Sequence, residues 1–142
     1  MDNYDADIII AGAGPVGLAL AAALIKQKIS VIVCETLPEL SKEARASTFH
    51  PPTLEMFAEW GVIDEILPLG RRIERLQYWE RETRQLVADF SYDLIAHDTP
   101  YPFRFQCPQS LVTRCLLPHI EASGYAQVFF NHEVISATDE GD

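Results

Sequence analysis

The chain has 142 residues, 48% of them hydrophobic, with 21 acidic against 11 basic side chains and a formal net charge of −10. That length and composition suit one sizeable core, and the acidity speaks against nucleic acid or an anionic membrane as partner. Cys34, Cys107 and Cys115 are odd in number and form no C-x-x-C, so they suggest neither a disulfide framework nor a metal site and fit a reducing cytoplasm.

The start, Met1-Asp2-Asn3-Tyr4-Asp5, is acidic and lacks the positive region of a signal peptide. The longest apolar run, Val16 to Ile25, is too short to span a bilayer, so no membrane association is expected.

Asp7 to Leu18 is the most informative stretch. Ile8-Ile9-Ile10 is a β-branched run without alternation, as in a parallel strand covered on both faces. The turn Gly12-x-Gly14-x-x-Gly17 follows, then an Ala- and Leu-rich helix from Leu18 to Lys26. In this pattern Gly12 permits the tight turn, Gly14 lets the backbone approach a pyrophosphate, and Gly17 lets helix and strand pack closely. Pro15 sits in the first helical turn, where its missing donor costs nothing, and Val16 follows it at the anion-facing helix start. A second strand, Ser30 to Cys34, ends at Glu35. That acid lies about 20 residues past the glycines, where a dinucleotide site places the carboxylate that binds a ribose hydroxyl.

A polar loop, Thr36 to Glu43, leads to Ala44 through Pro52. A helix is expected from the prolines through Trp60, with Leu54, Phe57 and Trp60 on one face and Gly61 as C-cap. From Arg71 the pattern changes. Ile73 to Trp79 and Gln85 to Phe90 alternate roughly around the Glu80 to Arg84 turn, predicting an antiparallel hairpin. Phe103 to Gln106 reads as another strand. Pro108 to Ser123 reads as a helix with Leu111, Cys115 and Ile120 toward a core, and Gln127 to Phe130 and Glu133 to Thr138 read as two short strands.

The expected fold is therefore α/β: a Rossmann-like βαβ parallel sheet interrupted by an antiparallel β insertion. The division read from the sequence is 1–72, 73–106 and 107–142, the last returning to the first domain. A doubly wound dinucleotide domain needs more parallel strands than are visible, so the chain reads as a truncated part of a larger protein.

Three pieces, in this order and spacing, carry a family resemblance: Gly12 to Leu18, Arg45-Ala46-Ser47-Thr48-Phe49-His50-Pro51-Pro52-Thr53-Leu54-Glu55, and Pro108-Gln109-Ser110-Leu111-Val112-Thr113-Arg114. The chain resembles the N-terminal part of the single-component FAD-dependent aromatic hydroxylases, the flavoprotein monooxygenases of the p-hydroxybenzoate hydroxylase fold. The resemblance implies that Gly12, Gly14 and Gly17, with Pro15 and Val16, cradle the FAD pyrophosphate and that Glu35 binds the adenosine ribose. It also implies that Arg45 lies by the pyrophosphate and the mobile flavin, that Gln109 contacts the ribityl chain, and that the backbone near Val134 lies by adenine. The antiparallel segment would open a substrate domain.

The implied reaction is hydroxylation of a small phenolic substrate with NADPH or NADH and molecular oxygen, in the cytoplasm. The chain alone is expected to be inactive, and association of two copies stays open. Other FAD chemistry on the same fold (halogenase, epoxidase, isoprenoid reductase) and a non-catalytic FAD-binding fragment are the alternatives. Arg45 as a solvated loop charge and Gln109 as a plain helix-start residue are their simpler readings. No catalytic residue is named: His50 reads as a loop histidine, Arg71, Arg72 and Arg75 as a solvated patch, and Tyr78, Trp79, Phe103 and Phe105 as core.

Overall fold

A computed structural model describes residues 5–43, 46–139 and 141. They form two compact units, Met1–Glu43 with Ser110–Asp142, and Ala44–Gln109. The hairpin belongs to the second unit, together with the described residues 46–109.

The first unit is a parallel three-stranded sheet with helices. β1 (Ile8–Ala11) leads through the glycine turn to α1 (Pro15–Lys26), and β2 (Val31–Glu35) follows. α4 (Gln109–Ala122) begins at the unit boundary and leads to β8 (Ala126–Phe130). The strand order is β1-β2-β8, so β2 lies in the middle. Parallel register aligns Ile10 with Val33 and Val33 with Val128, and this row belongs to the buried face. α1 lies against β1 and β2 through Leu18, Ala21, Ala22 and Ile25, all buried. The opposite face carries Ile9, which is 65% exposed. The expectation that β1 is covered on both faces therefore holds for one face only among the described residues.

Two further expectations change. In α4 the buried positions are Val112, Thr113, Leu116 and Ile120, while Leu111 and Cys115 are only half-buried. Val112, Leu116 and Ile120 form an i, i+4, i+8 stripe beside the expected one, and both are apolar enough to compete. Glu133 to Thr138 form no strand; these residues are exposed and have no ladder partner among the described residues.

The second unit holds β3 (Thr48–Phe49), α2 (Pro51–Glu59), the short α3 (Ile63–Ile66), β4 (Arg71–Ile73), β5 (Arg75–Trp79), β6 (Leu86–Ser91) and β7 (Arg104–Gln106). α2 starts at the prolines as expected and buries Leu54 and Phe57; Trp60 at its C-cap is buried too, and Phe49 and Trp60 each pack against Phe57. β5 and β6 form the expected antiparallel hairpin. β7 sits between β3 and β4 in a separate antiparallel sheet, a long-range pairing that the alternation did not reveal. Phe105, fully buried, anchors this sheet. A Cβ on Gly70 would overlap the Gln106 carbonyl oxygen and the Phe105 ring, so β4 enters the sheet through a position that admits no side chain.

Candidate cofactor site

The first unit brings the glycine turn and the acid at the end of β2 together. The Gly12 N–H donates to the Cys34 carbonyl at 2.7 Å, and Gly12 has φ = 101°. A left-handed turn of this kind favours glycine and lets the chain reverse off the sheet into α1. Gly14 is the N-cap of α1, with extended backbone, and no side chain caps the helix. Pro15 occupies the first turn and Val16, 81% exposed, follows it. The N–H groups of Val16 and Gly17 fall in the first turn, where a helix leaves its donors without intrahelical partners, and the helix dipole adds partial positive charge there.

The three glycines differ in what a side chain would meet. A Cβ on Gly14 would point into open space, whereas one on Gly17 would overlap the Gly12 carbonyl oxygen and press on Ile10. Gly17 is therefore a packing glycine. Gly14 keeps a surface clear, and the open face it leaves lies beside uncapped helix donors.

Glu35 reaches this turn. Its carboxylate accepts from the Ala13 N–H at 2.7 Å and from the Leu37 N–H at 2.9 Å. The segment after β8 returns to the same strand end: the His132 N–H donates to the Glu35 carbonyl at 2.9 Å and the Asn131 N–H to the Leu37 carbonyl at 3.1 Å. Val134, two residues on, is exposed.

Gln109 stands at the start of α4, and its N–H donates to the Ala46 carbonyl at 3.0 Å. That bond sets it beside the residue that follows Arg45. Arg45 itself lies outside the described residues. Among the described residues, no group of three His, Cys, Asp or Glu is placed to hold a metal ion, and no helix is long and apolar enough to cross a membrane.

A parallel strand, a glycine turn with open space above its second glycine, an uncapped helix start and a carboxylate at the next strand end define a Rossmann-type dinucleotide-binding unit. The donor set fits a pyrophosphate with an attached ribose: backbone N–H groups for the anion and a carboxylate for vicinal hydroxyls. The FAD binding domain family matches residues 5–142, and the chain belongs to that family.

Known proteins agree with this. The chain is 28% identical over 134 residues to para-nitrophenol 4-monooxygenase of Pseudomonas sp. (strain WBC-3), covering 94% of this chain and 33% of that protein. It is 36% identical over 87 residues to a probable NADH-specific resorcinol 4-hydroxylase of Rhodococcus jostii, covering 61% of this chain and 16% of that protein. The crystal structure of p-nitrophenol 4-monooxygenase PnpA from Pseudomonas putida DLL-E4 superposes with a TM-score of 0.87 at 26% identity, covering 100% of this chain and 35% of that one. The chain thus spans about a third of the length of the p-nitrophenol monooxygenases it matches.

Proposed function

We propose that this chain supplies the pyrophosphate- and ribose-binding part of an FAD-dependent monooxygenase that hydroxylates a phenolic substrate with NADH or NADPH and molecular oxygen. The carrying observation is the meeting of the glycine turn and Glu35 at one strand–helix junction. In this reading Gly12, Gly14, Pro15, Val16 and Gly17 hold the pyrophosphate, Glu35 the adenosine ribose, Gln109 the ribityl chain and the backbone at Val134 the adenine. Arg45, outside the described residues, is assigned to the pyrophosphate by the family resemblance alone. Residues 1–72 and 107–142 belong to the FAD domain and 73–106 begin the substrate domain. The similarity to p-nitrophenol and resorcinol hydroxylases supports a phenol as substrate, and the NADH-specific relative supports a nicotinamide reductant.

FAD, when bound, supplies the redox and oxygen-transfer chemistry, and the protein supplies binding and orientation. Backbone donors at the start of α1 face the negative charge without rearrangement, because the turn is already fixed by Gly12 and by the Gly17 contact. The Glu35 carboxylate has lone pairs left beside its bonds to Ala13 and Leu37, so it serves the turn and the sugar hydroxyls together.

The test is a visible absorbance spectrum of the whole protein, repeated while NADH or NADPH is added with a panel of phenols. Flavin absorbance, phenol-stimulated oxidation of the nicotinamide and a hydroxylated product are expected. A protein that folds without flavin and cannot be loaded with it would overturn the reading.

A further inference from the structure

The three arginines that read alike in the sequence behave differently. Arg72 stacks on Phe103, its guanidinium carbon 4.8 Å from the ring centroid, and Arg75 pairs with Asp89 at 3.1 Å. Arg71 has no carboxylate partner among the described residues.

The register of the β3-β7-β4 sheet sorts them by face. Arg72 is opposite Phe105, which is opposite Phe49, and this row carries the fully buried Phe105. Side chains alternate, so the neighbouring row of Arg71, Gln106 and Thr48 lies on the other face, and Arg104, opposite Ile73, shares it. Arg71 and Arg104 are diagonal neighbours there, a separation that long side chains bridge.

Arg104 carries the second observation. Its Nε is buried and has no hydrogen-bond partner, and Arg104 too lacks a carboxylate partner among the described residues. A buried donor on a permanently charged group is unfavourable unless an acceptor meets it. The chain has 21 acids for 11 bases, so carboxylates are plentiful, yet none among the described residues pairs with either arginine. The same face carries Thr48 and Gln106, whose side-chain amide donates to Ser47 Oγ at 3.1 Å.

We propose that this face of the β3-β7-β4 sheet is an oxyanion-binding site for a phosphate or carboxylate group of a small-molecule ligand. Arg104 grips the anion through its terminal nitrogens, and a small outward shift of the side chain brings the orphaned Nε to a second oxygen; Arg71 supplies the second cation. A guanidinium fork matches two oxygens of one carboxylate or phosphate, which a lone ammonium cannot do. The possible carriers, a phosphate on the nicotinamide co-substrate or a carboxylate on the aromatic substrate, rest on the flavin monooxygenase reading. The anion site itself does not.

Isothermal calorimetry on the whole protein at low ionic strength tests this, with inorganic phosphate and benzoate as separate probes. Binding of at least one probe is expected, weakened about tenfold or more by Arg104→Gln and by Arg71→Gln, and unchanged by Arg81→Gln in the exposed hairpin turn. The probe that binds identifies the carrier group. Binding of neither probe, or equal weakening by Arg81→Gln, would overturn the proposal. If Arg104→Gln fails to fold, the exposed Arg71 carries the test. A colourless protein that still binds the anion defeats only the flavin reading.

Discussion

The carboxylate of Glu35 accepts a hydrogen bond from the backbone of Ala13, at 2.7 Å, across 22 residues of sequence. Its second oxygen holds the Leu37 N–H, so one side chain pins the glycine turn and the loop that leaves β2. Hydrogen bonds to a charged acceptor contribute about 1.5–3 kcal/mol when partly buried. Glu35→Ala should therefore lower stability by about 1–3 kcal/mol even without cofactor, measured by urea denaturation. It should also weaken FAD at least tenfold. Glu35→Gln keeps one acceptor and should fall between wild type and Glu35→Ala on both measures. Unchanged stability together with unchanged FAD affinity in Glu35→Ala would remove both roles.

Gly14 and Gly17 separate binding from folding. Gly14 has φ = −70°, which alanine adopts, and open space where a Cβ would stand. Gly14→Ala should alter stability by no more than about 1 kcal/mol, the scale of an altered N-cap, while reducing FAD affinity at least tenfold. Gly17→Ala forces a methyl into the Gly12 carbonyl. It should cost about 1–3 kcal/mol or more, by overpacking, before any ligand is added. Thermal melts with and without FAD distinguish the two. Equal losses of stability in both variants would contradict the assignment.

How far the sequence carried depends on sequence distance. The β1–α1–β2 unit was legible because its signals are local: an apolar run, three glycines, an Ala- and Leu-rich helix and a strand-end acid, all between Ile8 and Glu35. The β5–β6 hairpin was legible for the same reason. The β3-β7-β4 sheet was not. Its strands have two or three residues each, too few to show a period, and Thr48 pairs with Gln106 across the intervening helix and hairpin. In α4 two adjacent apolar stripes competed, and only packing chose Val112 and Leu116 over Leu111 and Cys115. At the candidate site the residue types were readable, but the bond from Ala13 to Glu35 was not, because no pattern marks a backbone donor as available.

Gly70 is a packing glycine of the second unit that no turn signal marked as such. Its φ of −139° is open to any residue, so the constraint is steric: a Cβ meets the Gln106 carbonyl, the Phe105 ring and Cys107. Gly70→Ala should destabilise this unit by about 1–3 kcal/mol. Near-ultraviolet circular dichroism should show the disturbed packing, because Phe105, Phe49 and Phe57 lie in or against this sheet. The Gly12–Gly17 turn belongs to the other unit. A melt identical to wild type would show that β4 can shift away without penalty.

Asp7 and Ser30 tie the beginnings of β1 and β2 together and make one stability contribution depend on pH. The Asp7 carboxylate accepts from the Ser30 hydroxyl at 2.6 Å and the Ser30 N–H at 2.8 Å, while the Asp7 N–H donates to Ser30 Oγ at 2.9 Å. The hydroxyl bond first, and the backbone bond second, hold the Asp7 carboxyl below its ordinary value of 3.8. A carboxyl whose value is lowered by folding binds fewer protons in the folded state, so its contribution is complete above the ordinary value. It disappears as pH falls through the lowered one. The stability difference between wild type and Asp7→Ala should thus be constant near neutrality and shrink once the pH drops below about 4. Ser30→Ala should show the same acid dependence, and the double variant should lose less than the sum of the two, because both remove one shared set of bonds. Denaturant melts between pH 7 and pH 2.5 give the test. A difference that persists unchanged at the acid end would mean that the ionised carboxylate is not what holds the two strand starts together.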